Sequence, residues 1–368
     1  MNEVINKRQM AILFFFILPI TKLMLLPTLM SHISGRDSYI SAFLLLAVDI
    51  LVLLLILFVI NKYPKDDFNQ ILKSTFSMPV AKVILFLFGI FFLCKGLPFI
   101  LEQKQLLENT FYERFPFVIT FIIFFIIIFF VAIKGAKIIG RTSELFWFII
   151  LISFILIIMF SFLQADFSNI LPIAYNGAGP IFDGALKNVY HFGDYIILFA
   201  FMGKIDKDKS FKKVVLVASI IAVLVVFVFI IFTAIFGDVA VRQTYAITKI
   251  SKYSLAMSEL GRFDFIAIIL LLSGAVFFSA VTLYCSAEMF RQCFNLKERK
   301  FPLIGLVTLM AAGVLFFNNR FSDLVNLNSV YLTYFYMVMQ YVFPVILGIF
   351  VLTKENLFTF RKKQGVRV

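Results

Sequence analysis

Charge is scarce in this chain: Asp, Glu, Lys and Arg make up 15% of 368 residues, against about 25% in an ordinary soluble domain. With 62% hydrophobic residues, a soluble globule is excluded, because it would have to show water more apolar surface than water tolerates. Histidine is nearly missing. His32 and His191 lie far apart in sequence, so no pair has metal-ligand spacing and no metal site is expected. Cysteine is limited to Cys94, Cys285 and Cys293. An odd count with two members inside apolar runs reads as small buried fillers, not as a disulfide framework. There is no glycine-rich phosphate loop ending in Lys-Ser or Lys-Thr, which argues against an ATP-driven pump. Without a nucleophile-and-base pair either, no enzyme and no cofactor are expected. No long polar window is present, so residues 1–368 read as one polytopic membrane domain.

What the chain has in quantity is long apolar runs. About 20 apolar residues cross roughly 30 Å of hydrocarbon, and ten windows qualify: 10–33, 38–61, 79–103, 117–134, 143–163, 182–203, 213–236, 263–291, 301–317 and 330–353. The first contains Pro19, Thr21, Lys22 and Pro27 and no small-residue cleavage site, so it reads as a retained span. The 50 Phe residues are read as a bias of the coding sequence before any aromatic chemistry. The net charge of +13 sits in short loops between apolar runs, as membrane anchors do, and no nucleic-acid partner is expected. Ten spans put both termini on one side. Loops and tails on that side hold 22 Lys and Arg, the opposite loops 8, which predicts cytoplasmic termini and a basic tail at 354–368. Residues 66–77 and 239–259 are amphipathic and are expected along the membrane surface; in the second, Ala246, Ile250, Leu255 and Leu260 interleave with Arg242, Lys249 and Lys252.

Ionisable and helix-breaking residues are costly inside a bilayer and so point to a site. They gather in spans 1, 3, 6 and 8. Span 1 brings Pro19, Thr21, Lys22 and Pro27, where a proline removes a backbone donor and frees carbonyls. Span 3 brings Lys95, Gly96 and Phe99, with Glu102, Gln103 and Leu106 on the same face by their spacing. Span 6 brings Lys187, His191, Gly193 and Asp194; helical spacing puts Lys187, His191 and Asp194 on one face. Span 8 brings Ser273, Ala280, Tyr284 and Glu288. The candidate ligand-binding residues are therefore Pro19, Thr21, Lys22, Lys95, Gly96, Phe99, His191, Gly193, Asp194, Ser273, Ala280 and Tyr284. For each of these the ordinary alternative is packing: a kink at the prolines, ion pairing between helices, a hydroxyl bonding its own backbone.

Breaks in spans 1 and 6 of ten fit two five-helix halves of inverted topology, about 10–163 and 182–353, with discontinuous helices framing a midplane site. Several fragments are also familiar in their order: Ser34-Gly35-Arg36-Asp37, Asn61-Lys62-Tyr63-Pro64, Gly140-Arg141-Thr142-Ser143-Glu144-Leu145-Phe146, Leu171-Pro172-Ile173 with Gly179-Pro180-Ile181, Phe192-Gly193-Asp194, and Phe294-Asn295-Leu296-Lys297. On these the chain resembles, nearly end to end, the spore germination B-subunit family, permease-like members of the amino acid-polyamine-organocation superfamily. It departs from that pattern at Lys137, where an acid is usual, at Asp194, where Glu is more usual, and in lacking a glycine-centred break in span 1.

The resemblance implies a leucine-transporter-like fold in the inner membrane of a spore, with a germination receptor A subunit and a lipoprotein C subunit as partners. It also implies sensing of a small nutrient germinant, commonly an amino acid. A proton- or sodium-coupled amino acid transporter would use the same cavity, and a structural subunit without a ligand would leave its polar residues dispensable.

Overall fold

The computed structural model describes residues 4–110, 117–206, 211–252 and 264–363. In chain order its α-helices are α1 (Lys7–Leu23), α2 (Leu26–Ser34), α3 (Ser38–Lys62), α4 (Phe68–Thr75), α5 (Met78–Thr110), α6 (Phe117–Lys134), α7 (Ala136–Phe162), α8 (Ala178–Lys187), α9 (Leu198–Phe201), α10 (Lys212–Phe236), α11 (Ala246–Lys252), α12 (Asp264–Cys293), α13 (Lys300–Phe316), α14 (Phe321–Asn326), α15 (Thr333–Met337) and α16 (Phe343–Lys363). No sheet forms among the described residues; only an isolated bridge joins Ile5 to Ile205.

Among the described residues, six helical stretches are long and apolar enough to cross a membrane: Leu26–Lys62, Met78–Glu108, Ala136–Phe162, Lys212–Arg242, Ala267–Cys293 and Thr333–Thr353. A seventh arises if Lys300–Phe316 and Phe321–Tyr331, bent by 118°, count as one span. Of the other three windows, 117–134 is filled by α6 over its whole length, and two are broken. Window 10–33 is split between α1 and α2, and window 182–203 dissolves into α8, two 3₁₀ turns and the single turn α9.

Small residues let the elements approach. The broadest contact is between α5 and α12, where Ser286 Oγ donates to the Gly89 carbonyl at 2.7 Å and a Cβ on Gly96 would fall 2.4 Å from Thr282 Oγ1. Close packing of small residues is what drives helix association where lipid is as apolar as the side chains. Aromatic rings fill the remainder: Phe68 on α4 stacks on Phe199 at 4.5 Å, and Phe88 meets Phe343 edge-on at 5.1 Å. The amphipathic reading of 66–77 corresponds to α4, whose Asp67 and Gln70 form a reciprocal capping box and whose Phe68, Ile71 and Leu72 are buried. In the second amphipathic segment Ala246 and Ile250 are buried and Lys252 is exposed on α11; Leu255 and Leu260 lie outside the described residues.

Two of the sequence fragments meet at the end of the bundle opposite the N-terminus. Arg36 donates to the Leu171 carbonyl at 3.0 Å and pairs with Asp238, while Asp37 accepts from the Ala174 N–H at 2.9 Å. At the other end the chain start is pinned. Ile5 N–H donates to the Lys204 carbonyl at 2.8 Å, and the Ile5 carbonyl accepts from Asp206 at 3.0 Å. Gln9 donates to Glu144 at 2.9 Å, with Ile5 passing 3.0 Å from where a Gly140 side chain would begin.

Candidate functional site at two broken helices

The first break lies between Leu23 and Leu26. Pro19 has no N–H to give the Phe15 carbonyl one turn back, and the helix stops a turn later. Pro27 sits at the start of α2, where a missing donor costs nothing. The carbonyl of Met24, left over at the break, accepts from Ala246 N–H of α11 at 3.0 Å. The second break is wider. α8 ends at Lys187, Val189–His191 make a 3₁₀ turn, Gly193 turns the chain with φ +71°, and a second 3₁₀ turn begins at Asp194. The carbonyls of residues 190–192 are thereby released from any long helix.

Four buried charges gather between these breaks. Asp194 pairs with Lys22 and, through its other oxygen, with Lys95 at 3.1 Å. Thr21 Oγ1 donates to Asp194 at 2.9 Å. Lys22 also donates to Thr21 Oγ1 at 2.9 Å and to the His191 carbonyl at 3.0 Å. Lys95 donates to the Tyr190 carbonyl at 3.3 Å and to that of Phe192. An ammonium has three donors, and each lysine thus has three oxygen partners. The two ammonium groups thus take up the carbonyl and carboxylate oxygens at the break. The fourth charge is Asp49 of α3, which accepts from Gly193 N–H at 3.0 and 3.1 Å and from Tyr341 Oη at 3.0 Å. Two lysines against two aspartates leave no net charge, which is how ions survive burial.

Of the expected residues, Thr21, Lys22, Lys95, His191, Gly193 and Asp194 are in direct contact here. Phe99 packs edge-on against the His191 ring at 5.6 Å. Pro19, Gly96 and Ala280 are backbone and packing positions around it. Ser273 is placed apart: it is exposed on α12 and bonds the Ile269 carbonyl of its own helix at 2.8 Å. Lys187 is also exposed, because α8 ends there and helical spacing no longer links it to His191 and Asp194. Asp49, Gln340 and Tyr341 belong to the site and were missed. Asp49 is the one acid in window 38–61, a signal that was available; Gln340 and Tyr341 carried none. Among the described residues, the buried polar atoms His191 Nε2, Tyr195 Oη and both amide atoms of Gln340 have no hydrogen-bond partner.

Tyr284 belongs to a second cluster at the end of the bundle that carries the N-terminus. Lys204 donates to Tyr284 Oη at 3.0 Å and pairs with buried Glu288 at 3.0 Å, which Arg291 also reaches at 2.7 Å. Burial would push the Lys204 ammonium down, but Tyr284 and Glu288 outweigh it and hold its pKa above the ordinary lysine value.

Helical and without a sheet among the described residues, with several stretches long and apolar enough for a bilayer, the fold is that of a multi-pass membrane protein. The chain belongs to the spore germination protein family of spore permeases, whose family model matches residues 4–323. No curated protein matches it. The family is one of membrane transporters and receptors, not of enzymes.

Proposed function

We propose that this chain is the B subunit of a spore germinant receptor, which binds a small nutrient, an amino acid in its simplest form, where the two helices break. The observation that carries this reading is the set of buried polar atoms without partners beside the neutral four-charge cluster, on or against the broken segment. Buried polar groups are nearly always satisfied, and a zwitterion brings both the donors and the acceptors that His191, Tyr195 and Gln340 would take. The proposal includes ten spans arranged as two inverted five-helix halves, a spore inner-membrane location, and assembly with an A subunit and a lipoprotein C subunit.

The test is a nutrient germination screen of spores with and without the gene, joined to radiolabelled uptake. Loss of the response to one class of nutrient without uptake supports a receptor. Uptake that follows the gene supports a coupled transporter, and an unchanged germination profile removes the proposal. The orientation is checked separately: reporters at residues 206 and 364 are expected on the cytoplasmic side, given 22 basic residues against 8. An external signal at either position would break the ten-span arrangement.

A further inference from the structure

Two turns beyond Lys95, about 10 Å along α5 by the helical rise, stands Glu102, between the charged centre and the end of the bundle opposite the N-terminus. It is 1% exposed and lies inside the membrane-spanning stretch Met78–Glu108. Among the described residues its Oε2 meets no hydrogen-bond donor. The cations of its own helix are engaged elsewhere. Lys95 holds Asp194 and two carbonyls of the broken segment, and Lys104 donates to the Asn318 carbonyl at 2.8 Å and pairs with Glu108 at 3.3 Å. The elements packed against α5 bring no cation to Glu102 among the described residues. Between Ala267 and Leu283 of α12, and between Phe301 and Phe316 of α13, no side chain titrates. Lys73 of α4 and Asp323 of α14 are exposed, Tyr336 of α15 donates to Asn328 at 2.7 Å, and Tyr245 ahead of α11 donates to Gln105 at 3.4 Å. The 3₁₀ turn contributes His191, whose Nδ1 lies 3.3 Å from the Thr21 carbonyl, and Tyr190, the phenol on which Glu102 acts. Gln103, the next residue, carries a second buried acceptor without a donor, its Oε1, while its Nε2 donates to the Leu271 carbonyl at 3.3 Å.

We propose that Glu102 is a proton-binding site in the membrane interior. A carboxylate taken out of water without a counter-ion is among the costliest groups to bury. One proton taken from water removes that charge and leaves a carboxylic acid, whose O–H is a new donor one residue from an acceptor that has none. Tyr190 ties the proton to the broken helices: its phenol responds to the charge of Glu102, and its carbonyl accepts from Lys95 at 3.3 Å. The closed arrangement keeps the proton, and a movement of the broken segment that brings water to Glu102 releases it. The two arrangements differ in affinity for the proton, which is the condition for pH to favour one over the other.

The test is infrared spectroscopy and thermal unfolding of the full chain in lipid nanodiscs, with Glu102→Gln and Glu102→Met as variants. At neutral pH the wild type should show the C=O stretch of a protonated carboxylic acid, shifted in deuterium oxide, and both variants should lose it. The folded chain keeps this proton while an unfolded one gives it up, so the wild-type unfolding temperature should fall between about pH 5 and pH 8. The variants have no proton to lose; their curves should be flatter and lie above the wild type at the alkaline end. Both should reach wild-type abundance in the membrane, because neither leaves a counter-ion behind. A wild type without the band, or a band that survives in both variants, overturns the site. So does an unfolding temperature that Na⁺ or K⁺ raises in the wild type alone, which would mean an ionised Glu102 holding a metal cation. Failure of both variants to accumulate would reveal a paired carboxylate and overturns it as well. None of these measurements uses a nutrient, so the proton site and the receptor reading stand or fall separately.

Discussion

Asp194→Asn is expected to remove most of the protein from the membrane. Lys22 and Lys95 are both buried and both point their ammonium groups at this one carboxylate. Taking away one partner of a buried ion pair costs about 3–5 kcal/mol, because the remaining charge is left uncompensated. Here two cations lose their counter-ion together, so the upper end of that range applies. Combining Asp194→Asn with Lys22→Met restores the balance of charge and should return part of the abundance, whereas Asp194→Asn with Asp49→Asn should lower it further. Immunoblotting of membranes and the unfolding temperature in detergent check both. Wild-type abundance of the single variant would mean that the cluster is hydrated in the membrane and not the closed unit its geometry describes.

The lysines and Asp194 were legible in the sequence because an ionisable group in mid-span has few explanations. Asp49 carried the same signal, but it stands in an otherwise uniform apolar run and its role depends on Gly193 arriving from another helix. Gln340 and Tyr341 sit in the last window, where one amide and one phenol look like surface residues. Lys187 shows where a periodic argument fails: spacing assigns a face only while the helix lasts, and α8 ends at that residue. The count of unbroken spans is lower for a related reason: among the described residues six helical stretches, or seven with the bent pair, are long and apolar enough to cross on their own. Hydropathy sees windows 10–33 and 182–203 as spans of ordinary length, yet the backbone in both is interrupted near the charges they carry. The sequence fragments behave in the opposite way. Ser34–Asp37 and Leu171–Ile173 have no obvious chemistry apart, and their purpose appears only when Arg36 bonds the Leu171 carbonyl and Asp37 the N–H of Ala174, the residue after the second fragment.

Gly193 combines three constraints, and they can be separated. Its φ of +71° lies in the left-handed region, which costs a residue with a Cβ about 1–3 kcal/mol. A Cβ there would lie 2.5 Å from the Gln340 side chain, which must then move within a buried setting. Its N–H is held by Asp49. Gly193→Ala is therefore expected to lower the unfolding temperature, and Gly193→Val to do so more strongly. Gln340→Ala in the Gly193→Ala background removes the collision but not the backbone strain, so it should recover only part of the loss. If the break moves during signalling, as a receptor requires, the Gly193→Ala/Gln340→Ala protein that reaches the membrane should shift the nutrient concentration needed for germination or release germination from nutrient altogether. Reduced abundance with an unaltered dose dependence per molecule assigns Gly193 to packing alone. Normal abundance with a normal response would contradict both the strained turn and the close approach of Gln340.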